Sequence, residues 1–158
     1  AQPHILLAIR VMLSTAARVG AVLDLTWDRV DLERRRINLR TEGVGPRKGR
    51  AVVPINDTLY AELVKAKGQN MTEYVIEWNG KPVRSIRKGF GVAVKSAGLK
   101  DVTIHTLRHS AAVMMVEAGT SMDEVAQYLG HSNPSITFKT YARFSPSHLR
   151  AASKALEF

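Results

Sequence analysis

Four polar residues in the last third of the chain have the types and the spacing to act on a phosphate group. His105 and Arg108 lie three positions apart, so on a helix they share one face and can converge on one small anion. His131 follows a glycine, and Tyr141 comes ten residues after it. Two imidazoles, a permanently charged guanidinium and a phenol suit a phosphate diester better than a peptide or a sugar.

The segment that carries these residues has the pattern of a helix, a turn and a second helix. Its apolar residues recur at helical spacing, and the pattern breaks at residues 119–121. The apolar positions are Leu107, Ala111, Met114, Met115, Ala118, Val125 and Leu129.

The upstream part of the chain predicts further helices around one small sheet. Alternation at 36–40 and a β-branched run at 50–55 flank a turn with glycine and proline, which predicts an antiparallel pair. The β-like segment 74–78 ends at the turn signal Asn79-Gly80 and is the candidate for a third strand. Helices are predicted at 3–17, 21–27, 56–67, 85–97 and 146–157.

Arg18 falls between the first two predicted helices, each of which has an apolar face. A guanidinium in that position must reach solvent or bind a partner. From this window alone, an ion pair with Asp24 or Asp28 is the favoured interpretation.

The balance of charge favours a polyanionic partner. The chain has 23 Lys and Arg against 14 Asp and Glu, for a formal charge of +9. Cations concentrate in the predicted hairpin turn and around the helix at 85–97, where they could follow a phosphate backbone or simply be solvated. They include Arg47, Lys48, Arg50, Arg84, Arg87 and Lys88.

Length and composition limit the class of protein. With 158 residues we expect a single domain, residues 1–158, large enough to bury a core. The sequence contains no cysteine, so disulfides and thiolate chemistry are excluded. The apolar runs are too short to cross a bilayer and no signal-peptide pattern opens the chain, so we expect a cytoplasmic protein without membrane contact.

Other chemistries fit the sequence less well. His105 and His109 have metal-ligand spacing on a helix, but the glutamate of an H-E-x-x-H site is absent, and we expect no metal site. His109 is better interpreted as a packing or hydrogen-bonding residue. No G-x-S-x-G elbow is present, and the carboxylates are too scattered for two-metal cleavage. A helix-turn-helix DNA reader over 103–129 remains open.

The sequence resembles a known family at the residues described first. The set H-x-x-R at His105, L-G-H ending at His131, and Tyr141 in T-F-K-T-Y-A is similar to that of the tyrosine recombinases, also called the phage integrase family. Each piece is weak alone, but the order and spacings together are a strong signal. The window T-A-A-R-V-G at Arg18 is similar to the one that carries the family's first catalytic arginine, which reverses the preference for an ion pair.

The resemblance implies a fold and a chemistry. The fold would be mainly α with a small antiparallel β-sheet (α+β), the tyrosine recombinase catalytic-domain fold. Tyr141 would be the nucleophile and form a covalent 3′-phosphotyrosine without a metal or other cofactor. The remaining catalytic set would comprise two arginines on the phosphate, a base or proton relay, a hydrogen-bond donor and the acid for the leaving oxygen, namely Arg18, Arg108, His105, His131 and Lys48.

The resemblance also implies partners. The substrate would be double-stranded DNA, bound as a homo-tetramer, for integration or excision of a mobile element. Arg50 is a candidate for contact with the DNA backbone. The family's N-terminal DNA-clamping domain is expected to lie outside these 158 residues. Two alternatives are a topoisomerase-like relaxation activity and a non-catalytic DNA-binding regulator that kept the fold.

Overall fold

The computed structural model describes residues 1–40 and 51–157 of the chain. Within these residues the structure is mainly helical with small antiparallel sheets, as the sequence predicts. The α-helices are α1 Pro3–Thr15, α2 Val19–Leu23, α3 Asp57–Lys67, α4 Arg87–Ser96, α5 Ile104–Glu117, α6 Met122–Leu129, α7 Pro134–Tyr141 and α8 Arg150–Lys154. The strands are β1 Val30–Asp31, β2 Arg36–Asn38, β3 Val52–Pro54, β4 Glu77–Trp78 and β5 Lys81–Pro82, with short 3-10 turns at Trp27–Arg29 and Ala142–Phe144.

The sheet is built around the predicted hairpin. β2 pairs with β3 in antiparallel register, with Ile37 opposite Val53, and β1 pairs with the other edge of β2. The expected third strand at 74–78 is wrong. Asn79 and Gly80 both have positive φ values, 50° and 70°, and so form a tight turn that folds β4 back onto β5 as a separate ribbon.

Local capping sets where the helices begin and end. The Asn56 side chain accepts a hydrogen bond from the Leu59 N–H at 2.9 Å and starts α3, and Thr103 and Thr106 form a capping box at α5. Helix α1 stops at Thr15, two residues before the predicted end, because Ala16 adopts a left-handed conformation with φ 52°.

The buried side chains of the described residues form two clusters. The larger one joins α1 to the sheet and α3, and includes Met12, Ile37 and Leu59. The smaller one lies between α5, α6 and α7, and its members are Ala16, Ala111, Ala112, Val116, Val125, Leu129 and Tyr141. Tyr128 packs against both clusters, and its hydroxyl donates to the Ser14 carbonyl at 2.7 Å. The smaller cluster therefore supports the helices that carry most of the candidate site.

Two predictions about helices need correction. The helix expected at 146–157 is shorter, since α8 spans only Arg150–Lys154, and Leu149 and Leu156 are exposed. The second predicted helix ends at Leu23 and is followed by the 3-10 turn. In the described part of the chain, every helix is too short or too polar to span a membrane.

Candidate active site

The guanidinium of Arg108 is buried at the meeting point of three helices. It lies on α5 and is 4% exposed. Its Nη1 donates to the Ala16 carbonyl at 2.5 Å, and its Nη2 donates to the Leu129 carbonyl at 2.9 Å. These carbonyls end α1 and α6, where the helix dipole places partial negative charge. The cation is thus held by the backbone of two helices other than its own.

Burial makes this guanidinium more acidic, but the group keeps its positive charge at neutral pH. Loss of solvation, together with the positive charge of Arg18, lowers the pKa of Arg108 to about 10. Tyr141 has the opposite effect. With a pKa of about 10, Arg108 remains a cation at neutral pH and can bind an anion.

His131 is fixed beside Arg108 by the turn that ends α6. Gly130 has φ 68° and forms the left-handed cap, after which the His131 N–H donates to the Ala126 carbonyl at 2.9 Å. The Nε2 atom of His131 lies 3.3 Å from Arg108 Nη2, and Nδ1 lies 2.7 Å from Thr137 Oγ1. Burial, followed by the charges of Arg108 and Arg18, lowers the pKa of His131, so the ring is neutral near pH 7.

Tyr141 ends α7 with its ring inside the smaller hydrophobic cluster and is 7% exposed. Its hydroxyl lies 3.2 Å from Nδ1 of His109, and the two rings are tilted by 43° with their centroids 5.2 Å apart. Burial raises the pKa of Tyr141, although the charge of Arg108 opposes that shift. In this arrangement the phenol keeps its proton and has an imidazole nitrogen as its partner.

Arg18 and His105 lie at the exposed edge of the same region. Arg18 is the N-cap residue of α2, between the two helices where the sequence places it, and its charge acts on both Arg108 and His131. His105 lies in the first turn of α5, one turn before Arg108, and is exposed. An anion reaching this surface would therefore meet two accessible side chains before the buried guanidinium.

The predicted DNA-contacting residues are only partly described. Arg84, Arg87 and Lys88 are exposed at the start of α4, and the Arg84 guanidinium lies 5.5 Å from the centre of the Tyr74 ring. The other predicted cations of the hairpin turn, Arg47, Lys48 and Arg50, lie outside the described residues.

Two residues of this region had no chemical role assigned from the sequence. His109 was interpreted only as packing or hydrogen bonding, and the structure makes it the partner of the Tyr141 hydroxyl. Thr137 was not singled out, although it is fully buried and contacts His131. Its position four residues before Tyr141, on the same helix face, is the sequence signal that could have found it.

Among the residues that the structure describes, no three His, Asp or Glu side chains are grouped so as to hold a metal ion.

Sequence comparison identifies relatives of this chain. Residues 2–148 match the phage integrase family. The tyrosine recombinase XerC of Roseiflexus castenholzii is 30% identical over 161 residues, which cover 93% of this chain and 50% of that protein. The integrase of Salmonella phage P22 is 27% identical over 163 residues, which cover 94% of this chain and 41% of that integrase. The chain thus spans about half the length of these relatives.

Solved structures show the same fold. The catalytic domain of bacteriophage HP1 integrase is 28% identical with a TM-score of 0.67, covering 94% of this chain and 79% of that one. The Tn1549 transposon integrase in complex with circular intermediate DNA is 24% identical with a TM-score of 0.76, covering 96% of this chain and 59% of that one. The predicted family and fold are confirmed: the chain belongs to the phage integrase family and has the fold of a tyrosine recombinase catalytic domain.

Proposed function

We propose that residues 1–158 form the catalytic domain of a site-specific DNA recombinase, which cleaves and rejoins DNA through a covalent 3′-phosphotyrosine. The observation that carries this proposal is that His131 and the α7 helix, which ends at Tyr141, converge on the buried guanidinium of Arg108. Membership of the phage integrase family supports it. The chemistry would serve integration or excision of a mobile element.

The buried guanidinium would bind the scissile phosphate. A guanidinium has more N–H donors than its contacts to the Ala16 and Leu129 carbonyls use, so donors remain for a phosphate oxygen. Because those carbonyls already fix its orientation, Arg108 needs little reorganisation when the phosphate arrives. Arg18 would bind a second non-bridging oxygen from the exposed side, and His131 would donate to the same phosphate.

The Tyr141 oxygen would attack phosphorus after losing its proton. A phenol has a pKa near ~10, and burial raises that of Tyr141, so attack at neutral pH needs a base and nearby positive charge. His105 would act as base or proton relay. The new bond joins the Tyr141 oxygen to phosphorus while the bond from phosphorus to the 5′ oxygen breaks, and Lys48 would protonate that leaving oxygen. Attack by another strand's 5′ hydroxyl reverses the step.

Double-stranded DNA is the partner that the charge distribution supports. The formal charge is +9, and Arg84, Arg87 and Lys88 are exposed together. Arg47 and Arg50 would contact the backbone from the hairpin turn. Recombination of two duplexes requires four strand cleavages, so we propose that four copies assemble on the DNA.

The metal-free mechanism can be tested by trapping the covalent intermediate. Fragmented genomic DNA would be incubated with the protein in EDTA or in Mg²⁺, denatured in SDS, and assayed for protein-linked DNA. Equal yields of adduct in both conditions are expected, because guanidinium groups would supply the charge that a metal supplies elsewhere. Loss of adduct in EDTA with recovery in Mg²⁺ would contradict the proposal.

A further inference from the structure

Thr137 is one of the few buried polar side chains in the described part of the chain. Its exposed fraction is 0%, and its Oγ1 lies 2.7 Å from Nδ1 of His131. It lies on α7 four residues before Tyr141, so both side chains share one face of that helix. A hydroxyl placed there without solvent requires a polar partner, and His131 provides it.

The hydrogen bonds around His131 determine which of its nitrogens carries the proton. The guanidinium of Arg108 can only donate, so Nε2 of His131 must accept at that contact of 3.3 Å. The ring is neutral because burial and two arginine charges lower its pKa. The proton therefore lies on Nδ1, which donates to Thr137 Oγ1.

Donation to a phosphate oxygen requires the other tautomer. The nitrogen that faces Arg108 is Nε2, so this nitrogen would have to carry a proton when a phosphate occupies the site. Nδ1 then becomes an acceptor and needs a donor. A threonine hydroxyl can rotate to accept from Nδ1 or to donate to it, whereas a carbonyl or carboxylate could only accept.

We propose that Thr137 is a positioning residue for His131, whose hydroxyl holds the imidazole in place and accommodates both of its neutral tautomers. The part that concerns phosphate rests on the proposed function. The change of tautomer releases the Nδ1 proton to water and takes one proton onto Nε2, so the charge of the ring is unchanged. His131 is only half-buried, which leaves water access for this exchange.

The tautomer can be measured directly without DNA. In protein labelled with ¹⁵N-histidine, the imidazole nitrogen shifts distinguish a protonated from an unprotonated nitrogen, and His131→Gln assigns the signal. We expect a protonated Nδ1 in the wild type at neutral pH. Thr137→Val keeps the side-chain shape but removes the hydroxyl, and should move both nitrogen shifts toward their average. A protonated Nε2 in the wild type, or unchanged shifts in Thr137→Val, would overturn the proposal.

Catalysis provides the second readout. Thr137→Val should slow adduct formation about tenfold, because an imidazole nitrogen loses its partner. Thr137→Ser retains the hydroxyl and should restore the rate and the wild-type shifts. The matched control is Thr140→Val, since Thr140 is exposed on the same helix and its hydroxyl donates to the Ile136 carbonyl of that helix.

The two readouts separate this proposal from the proposed function. Altered nitrogen shifts in Thr137→Val with wild-type rates of adduct formation would overturn the proposal that positioning of His131 by Thr137 supports cleavage. Absence of adducts in every protein, wild type included, would count against the recombinase function, while the nitrogen shifts would still decide whether Thr137 positions His131. Thermal unfolding of each variant shows whether a lost signal reflects loss of the fold.

Discussion

The hydroxyl of Tyr141 lies 3.2 Å from Nδ1 of His109, the residue that follows Arg108 on α5. One helix therefore presents both the buried guanidinium and the partner of the phenol. The contact joins α5 to the end of α7, where the Tyr141 ring packs in the smaller hydrophobic cluster. The oxygen expected to attack phosphorus is thus oriented by a side chain outside the motif set that identifies the family.

Replacing His109 with alanine should slow formation of the covalent adduct about tenfold, because the Tyr141 hydroxyl loses the hydrogen-bond partner that orients it. Reactions stopped with SDS at successive times, and assayed for protein-linked DNA, would give the rate. His148→Ala is the control, since His148 is an exposed histidine near the end of the chain. A wild-type rate in His109→Ala would show that the contact has no part in the reaction.

Removing the buried guanidinium should separate cleavage from binding. Arg108→Ala is expected to abolish adducts while retaining much of the DNA affinity, because the exposed cations at α4 remain. Filter binding and adduct assays on the same samples measure both. Adduct formation at the wild-type level by Arg108→Ala would refute its place in the site.

The same substitution should also reduce stability. The carbonyls of Ala16 and Leu129 lose their buried donor, which costs about 1–3 kcal/mol for each unsatisfied group. The control is Arg10→Ala, whose partly exposed ion pair with Glu62 should contribute about 0–1 kcal/mol. Urea unfolding of both variants compares them, and equal losses would contradict a structural role for Arg108.

Gly130→Ala should lower the free energy of unfolding by about 1 kcal/mol, because φ is 68° at this cap and a Cβ disfavours that conformation. It should also slow cleavage, since the cap places the Leu129 carbonyl and His131. Gly91→Ala is the matched control: Gly91 lies inside α4 with open space around it, so alanine should raise stability by about 0.5–1 kcal/mol. Equal changes in stability for the two variants would contradict the requirement for glycine at the left-handed cap of α6.

Stability should fall as the pH is lowered through 6.5. Burial lowers the pKa of both His131 and His4 below 6.5, the ordinary value for histidine. Just below pH 6.5 the folded chain therefore binds fewer protons than the unfolded chain, and protonation favours unfolding. Urea midpoints between about pH 5.5 and 7.5 avoid most carboxylate titration. His131→Asn should reduce the slope of stability against pH. A urea midpoint that increases as the pH is lowered would contradict this prediction.

Local patterns predicted the elements whose causes are local. The Asn56 cap, the β2–β3 pairing and the break between α5 and α6 depend on neighbouring residues or on one short hairpin. The motif spacings also indicated that Arg108 and His131 would meet, which they do at 3.3 Å. The elements follow from periodicity and capping chemistry, whereas the meeting of Arg108 and His131 was implied by the resemblance of the motif set to the family.

Features that depend on distant partners were missed. The β character of 74–78 did not reveal that β1 occupies the free edge of β2. The apolar spacing at 146–157 predicted a packed helix, yet Leu149 and Leu156 are 68% and 73% exposed, because periodicity defines a face and not what covers it. The sequence pattern also did not single out Thr137, because the feature that distinguishes it is its contact with His131, six residues away.

The most direct test of the central claim compares two tyrosine variants. Tyr141→Phe and Tyr128→Phe each remove one hydrogen-bonded phenolic hydroxyl from a largely buried ring, at 3.2 Å from His109 and 2.7 Å from the Ser14 carbonyl, respectively. After incubation with genomic fragments and SDS, protein-linked DNA is counted and the linked peptide is identified by mass spectrometry. Adducts in the wild type and Tyr128→Phe, attached at Tyr141 and missing in Tyr141→Phe, are the expected result. Adducts that persist in Tyr141→Phe, or that map to another residue, would contradict it.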